Sequence, residues 1–215
     1  MDISVSLRKT SLVDYPGKIA SVIFFPGCNL RCPWCQNREL VLSPEKAPGA
    51  IPLEHALEQI DKRRNILGGV VLSGGEPALY RDLPALVRRI KAPDKLGRPG
   101  LPVKLDTNGT FPAVLEELLS QPDTRPDYIA MDLKIAPSRY AELAHGANSL
   151  EAALQKSTAL IRGSGIAHEF RSLILPGGFF GPADKEALAP LAGDSPWYFR
   201  PFRPGNCLDP AWDEL

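Results

Sequence analysis

Apolar residues along this chain fall into two alternating rhythms, short unbroken runs and stripes spaced three or four apart. The unbroken runs predict strands at Ile19 to Phe25, Gly69 to Leu72, Val103 to Asp106, Tyr128 to Leu133, His168 to Leu173 and Trp197 to Phe202. Strands this apolar belong to a parallel sheet covered on both faces. Between them, Leu53, Leu57 and Ile60 share a helical face behind Pro52. Leu83, Leu86, Val87 and Ile90 form a cleaner stripe, with Asp82 placed as its amino-terminal cap. Leu115, Leu118 and Leu119 mark a third helix, ended by the stretch Pro122 to Pro126. Leu150, Leu154 and Ile161 mark a fourth, stopped by Gly163, and Ala183 to Leu191 a weak fifth.

Strands alternating with helices require right-handed crossovers. An open doubly wound sheet and a barrel with six of the usual eight units both satisfy that rule. Where the unusual residues fall favours the barrel, because barrel chemistry gathers at the carboxyl ends of the strands. Cys28, Cys32 and Cys35 follow the first predicted strand, and Ser73-Gly74-Gly75-Glu76-Pro77 follows the second. Asp106-Thr107-Asn108-Gly109 ends the third, and Asp132 and Lys134 end the fourth. Arg171 lies in the fifth, and Arg200 and Arg203 in or just beyond the sixth. All six groups should face one mouth. The expected fold is therefore α/β, a partial (β/α)6 barrel, with residues 1–215 forming one domain. The 22 prolines and 18 glycines mostly punctuate the elements.

Composition narrows the function. With 25 basic and 25 acidic side chains the formal net charge is zero, which leaves no electrostatic footprint for nucleic acid or an anionic membrane. Apolar runs such as Val22 to Phe25 are far too short to span a bilayer, and Met1 to Lys9 has no signal-peptide core. The expected location is the cytoplasm. Three of the four cysteines sit within eight residues, so they suit metal or redox use and cannot staple distant segments.

The cysteines of Cys28-Asn29-Leu30-Arg31-Cys32-Pro33-Trp34-Cys35 are close enough in sequence to hold one metal centre. Thiolates select iron–sulfur clusters, zinc or copper(I). Three local ligands are one short of a closed site. A structural zinc knuckle closed by Cys207 or a histidine is one reading, and a Cys32–Cys35 redox pair another, although that leaves Cys28 unexplained. The third is a four-iron cluster whose fourth iron is open to a ligand with an amine and a carboxylate. Gly74 and Gly75 make either a plain tight turn or a close backbone approach to a ligand, where a carbonyl or the Glu76 carboxylate accepts from an ammonium. Asp106 and Asp132 are either paired surface carboxylates or a site for an ammonium, a ribose hydroxyl or a hard cation. Lys134 and Arg171 either form solvated salt bridges or serve a ligand carboxylate. Trp34 either packs between the ligands or lies against an adenine ring. His55, His145 and His168 have no ligand spacing, and no Ser-His-Asp arrangement or phosphate loop is visible.

Cys28-x3-Cys32-x2-Cys35 with an aromatic before the last cysteine resembles the cluster motif of radical S-adenosylmethionine (SAM) enzymes, and Gly-Gly-Glu-Pro at the next strand strengthens the likeness. Leu12 to Lys18, Asn37 to Leu40, Leu105 to Gly109 and Met131 to Lys134 together resemble glycyl-radical-enzyme activating proteins, most of all the branch that activates anaerobic ribonucleoside-triphosphate reductase. The resemblance implies that Cys28, Cys32 and Cys35 ligate a 4Fe–4S cluster and that SAM chelates the open iron. It sets Gly74 to Glu76 against the SAM amino group, and Asp106, Asn108, Asp132, Lys134 and Arg171 in the same pocket. Asp106, Thr107 and Asp132 also resemble a monovalent-cation site. A reduced flavodoxin or ferredoxin would supply the electron, and a glycine of a partner enzyme would lose the hydrogen. No second cysteine cluster and no carboxyl-terminal cap over a small-molecule pocket are expected, and Cys207 is expected to be structural. A deazaguanine-forming synthase and a non-catalytic zinc-binding domain are the alternatives.

Overall fold

The computed structural model describes residues 3–42, 47, 49–144 and 150–215; His145 and the first two residues of the amino-terminal stretch lie outside them. All six predicted strands form, their ends shifted by one or two residues: β2 (Ala20–Phe25), β4 (Gly69–Gly74), β5 (Val103–Thr107), β6 (Tyr128–Asp132), β7 (Ala167–Ile174) and β8 (Trp197–Pro201). They pair in that order, each parallel to the next. Two strands that the hydrophobic pattern did not predict, β1 (Ser4–Ser11) and β3 (Ala50–Pro52), extend the sheet antiparallel beyond β2, giving the order β3-β1-β2-β4-β5-β6-β7-β8. With β3 and β8 as its two edges, the sheet is the partial barrel expected.

The helices α1 (Arg38–Leu42), α2 (Leu53–Lys62), α3 (Leu83–Lys91), α4 (Pro112–Ser120), α5 (Glu151–Gly163) and α6 (Pro182–Ala192) are the crossovers. Prolines stand in the first turns of α3, α4 and α6, where a missing N–H costs nothing. Asp82 does occupy the cap position of α3, but its side chain makes no capping hydrogen bond, which corrects the expected role. Leu150 likewise sits at the cap of α5, just outside the helix.

Successive strand side chains point to opposite faces. Those of one face, Ile23, Phe25, Val70, Leu72, Val103, Leu105, Ile129 and Phe170, join the helical stripes in one large apolar core. Facing the barrel interior is a much smaller apolar group, Tyr15, Ala20, Val22 and Val71, with Phe24 and Tyr128 packed against it. The same alternation turns Lys104 and Asp106 of β5, Asp132 of β6, and Glu169 and Arg171 of β7 inward. The interior is thus plugged at its base by apolar rings and charged toward its mouth.

Candidate active site

The cysteine loop leaves β2 and is tied down on every side by backbone. Gly75 N–H donates to Phe25 O (2.9 Å), Glu76 N–H to Gly27 O (2.9 Å), and Gly27 N–H to Leu40 O (2.8 Å). The two glycines are required here. Gly74 has φ +114°, and a Cβ on it would stand 2.4 Å from Phe25 N, while one on Gly75 would stand 1.8 Å from Gly27 O. They admit the cysteine loop itself, a use the sequence reading did not foresee. Farther along the loop, Arg31 N–H donates to Leu143 O (2.7 Å), and the Arg31 guanidinium holds the Cys28 carbonyl at 2.6 Å. Leu208 and Asp209 N–H groups donate to the carbonyls of Cys35 (2.8 Å) and Pro33 (3.0 Å), so the carboxyl-terminal segment buckles the loop from behind.

Cys28, Cys32 and Cys35 are free thiols bordering one cavity of about 290 Å³, next to a second of about 400 Å³ that shares Trp34, Asp106, Asp132, Lys134 and Arg171. The second is by itself the size of a small-ligand pocket. Gly74, Gly75 and Asn108 also border the first, whereas Arg200 borders only the second cavity and Glu76 and Arg203 border neither. The Glu76 carboxylate is buried and turned into the loop scaffold. It accepts from Ala78 N–H (3.0 Å), Thr107 Oγ1 (2.8 Å) and Asn108 N–H (2.6 Å). Burial pushes its pKa up to about 7, against the pull of those three donors. The Glu76 carboxylate therefore shapes the β5 loop and does not border the cavity.

Asn108 is held by the loop it helps to build. Its Oδ1 accepts from Thr110 N–H (2.9 Å) and Thr110 Oγ1 (2.6 Å), and its Nδ2 donates to Asn29 Oδ1 (3.0 Å). Asn29 and Thr110 were not singled out in the sequence, since only the fold joins them. Trp34 borders the cavity on one side. On the other it packs against Phe179 (5.2 Å between ring centres) and Trp212 (5.4 Å).

Charge concentrates opposite the thiols. Arg171 Nε donates to Asp132 Oδ1 (3.1 Å), Lys134 Nζ to Asp132 Oδ2 (3.1 Å), and Arg171 Nη2 lies 3.4 Å from Asp106 Oδ1. Lys104, buried behind the cavity wall, also donates to Asp106 Oδ1. Burial opposes the charge on Asp132, yet Lys134 and Arg171 outweigh it and bring its pKa down to about 2. Lys134, although buried, is held protonated by Asp132. Burial pushes Cys32 up to about 12, with Lys134 opposing. A dry pocket raises a thiol in this way until a cation binds the sulfur. Cys28 Sγ already accepts from Leu30 N–H (3.4 Å), the bond a metal-bound thiolate takes. The donor set fits a cluster held by three thiolates.

Cys207 is buried under the carboxyl-terminal turn, its N–H on Asp213 Oδ1 (3.0 Å), and is not among the residues that border the thiol cavity. Among the described residues, no three His, Cys, Asp or Glu side chains are drawn together as a site for a single metal ion. The zinc-knuckle reading, with Cys207 as the fourth ligand, does not match this arrangement.

Residues 22–179 match the model of the radical SAM superfamily. The chain is 31% identical over 209 residues, 95% of its own length and 82% of the relative's, to the Methanocaldococcus jannaschii protein named "Putative glycyl-radical enzyme activating enzyme MJ1227". It is 37% identical over 98 residues to the 7-carboxy-7-deazaguanine synthase of Rhodospirillum rubrum, covering 45% of this chain and 37% of that one. Among solved structures, anSMEcpe with bound AdoMet superposes with a TM-score of 0.62 at 14% identity, over 86% of this chain and 51% of that one, which speaks to the fold. The chain belongs to the radical SAM superfamily. Its nearly full-length match sets it in the same family as the Methanocaldococcus protein. Membership implies a 4Fe–4S cluster and SAM as cofactors.

Proposed function

We propose that this protein is a radical SAM activase that makes a glycyl radical on a partner enzyme. Cys28, Cys32 and Cys35 hold the 4Fe–4S cluster, and Gly74, Gly75, Asp106, Asn108, Asp132, Lys134, Arg171 and Trp34 hold SAM. When bound, cluster and SAM supply a one-electron cleavage of the sulfonium, giving methionine and a 5′-deoxyadenosyl radical that takes a hydrogen atom. The chain's own residues do the rest. The Gly74–Gly75 turn keeps the cysteine loop against the strand ends. Lys134 and Arg171 hold positive charge ready for a ligand carboxylate. The apolar base of Tyr15, Val22 and Val71 keeps water from below. Carrying the reading is the convergence of three free thiols and this charged cluster on one cavity.

The finer reading is that the partner is anaerobic ribonucleoside-triphosphate reductase, that flavodoxin or ferredoxin donates the electron, and that residues 1–215 work as one domain in the cytoplasm. No helix among the described residues is long and apolar enough to cross a membrane. A second reading, SAM chemistry on a small molecule of the deazaguanine type, draws on the Rhodospirillum relative and on Arg200 at the second cavity. The match to the Methanocaldococcus protein over twice the share of this chain favours the activase.

The test is anaerobic. Protein reconstituted with iron and sulfide is given SAM and dithionite and assayed for 5′-deoxyadenosine, then mixed with the reductase and examined for a glycyl radical by electron paramagnetic resonance. Product that disappears in Cys32→Ala, together with the radical signal, supports the activase. Product without a signal, and with turnover of a deazaguanine precursor, replaces it with the second reading.

A further inference from the structure

The residues that resemble a monovalent-cation site, Asp106, Thr107 and Asp132, are already engaged with the protein. Thr107 Oγ1 donates to Glu76 (2.8 Å) and accepts from Gly109 N–H (3.1 Å). Oδ1 of Asp106 faces both Lys104 Nζ and Arg171 Nη2. Both oxygens of Asp132 take cationic donors, Arg171 Nε and Lys134 Nζ, at 3.1 Å each. The Arg171 guanidinium thus bridges the two carboxylates between which a metal ion would lie. This is a poor fit to an added ion.

Lys104 is the telling member. It is 2% exposed, sits two residues before Asp106 on the same inward face of β5, and lies 6.0 Å from the centre of the Tyr128 ring. An ammonium buried this deeply persists only if paired. Its cross-strand neighbour on β4, Val71, shows that an aliphatic side chain suits that layer. Behind the ladder, Tyr128 donates its hydroxyl to Glu169 at 2.8 Å. Lys104, Lys134 and Arg171 therefore already balance Asp106, Asp132 and Glu169. A further cation among them would meet no carboxylate that is not already paired with a lysine or arginine.

We propose that Lys104 and Arg171 take the place of the monovalent cation, so that SAM binding and cleavage by this protein need no potassium or sodium. Lys104 is a positioning residue, acting through Asp106. The proposal rests on the SAM-dependent reading above, and its test separates the two. Sodium NMR linewidths on the cluster-free protein, with and without excess potassium, probe the ion alone. Calorimetry of SAM binding and the 5′-deoxyadenosine rate of the reconstituted protein, in potassium, sodium or tetramethylammonium chloride, probe the cofactor. The wild type should show no saturable sodium broadening. Its SAM Kd and rate should vary by less than about twofold among the salts at equal ionic strength. Lys104→Met should lose SAM affinity by about tenfold in tetramethylammonium and recover it in potassium, while Lys104→Arg should stay salt-independent. Potassium-competed sodium broadening in the wild type, or a rate that rises about tenfold with potassium, overturns the proposal, as does a folded Lys104→Met indifferent to salt. If Lys104→Met does not fold, the wild-type salt series decides. Failure of SAM cleavage in every salt sinks the activase reading and leaves the sodium measurement standing.

Discussion

The two faces of the parallel sheet are built from the same strands and carry opposite chemistry. Toward the helices, Leu72, Leu105, Ile129 and Phe170 are fully buried among Leu86, Leu118 and Leu154, an apolar layer whose work is to hold the strands in register. Toward the barrel interior, on the alternate positions of β5, β6 and β7, stand Lys104, Asp106, Asp132, Glu169 and Arg171. The difference teaches where stability and chemistry reside. An apolar face stabilises through area removed from water and tolerates shape-conserving change. A charged interior stabilises only while each charge keeps its partner, and so it fixes geometry more than it adds stability.

The sharpest way to break the comparison is to injure each face in turn. Leu72→Ala on the helix side should cost about 3 kcal/mol in urea denaturation, through lost burial and the cavity left behind. The SAM affinity of the folded fraction should stay unchanged; an affinity loss of its own would show that the faces are not separable. Arg171→Met on the inner side leaves Asp106 with Lys104 alone and Asp132 with Lys134 alone. It should cost up to about 3 kcal/mol and, unlike Leu72→Ala, lower SAM affinity by about tenfold or more.

Glu76→Gln tests the scaffold between the faces. An amide in place of the carboxylate sets a donor against one of three donors, as the protonated acid also does, so at low pH the variant should lie within about 1 kcal/mol of the wild type. The pH dependence has a definite sign. Because the folded pKa of Glu76 is raised to about 7, the native state binds the extra proton. Measured against the variant, the wild type is therefore most stable below the ordinary carboxyl pKa and loses stability as pH rises through about 7. A difference that grows with pH between 5 and 8 would contradict this assignment. The smallest effect belongs to the outer surface. Arg89 and Glu54 form a bidentate pair at 2.6 and 2.7 Å, but both are largely exposed. Arg89→Ala should cost less than about 1 kcal/mol.

Much of this was legible from residue order. Parallel strands buried on both faces must be apolar without interruption, so β2, β4, β5, β6, β7 and β8 could be read with ends misplaced by at most two residues. The amphipathic stripe of α3 and the strand-end positions of the three cysteines, Gly74-Gly75, Asp106 and Lys134 were readable for the same reason: local periodicity and a barrel's directionality suffice. The strand β1 escaped because Ser4–Ser11 is half-exposed beside the edge strand β3, and its polar residues blur the alternation.

The tertiary structure alone decided what each charge does. Glu76 looked like a ligand group and became loop scaffold, because the β5 loop brings the Thr107 hydroxyl and the Asn108 N–H to its carboxylate. Trp34 gained Phe179 and Trp212 from segments far along the chain. Lys104 lay unremarked inside an apolar strand until sheet closure set its ammonium on Asp106, opposite Arg171. Periodicity is written in neighbouring residues and can be read there, whereas the partner of a buried charge is fixed only when strands distant in sequence are brought within a few ångströms of each other.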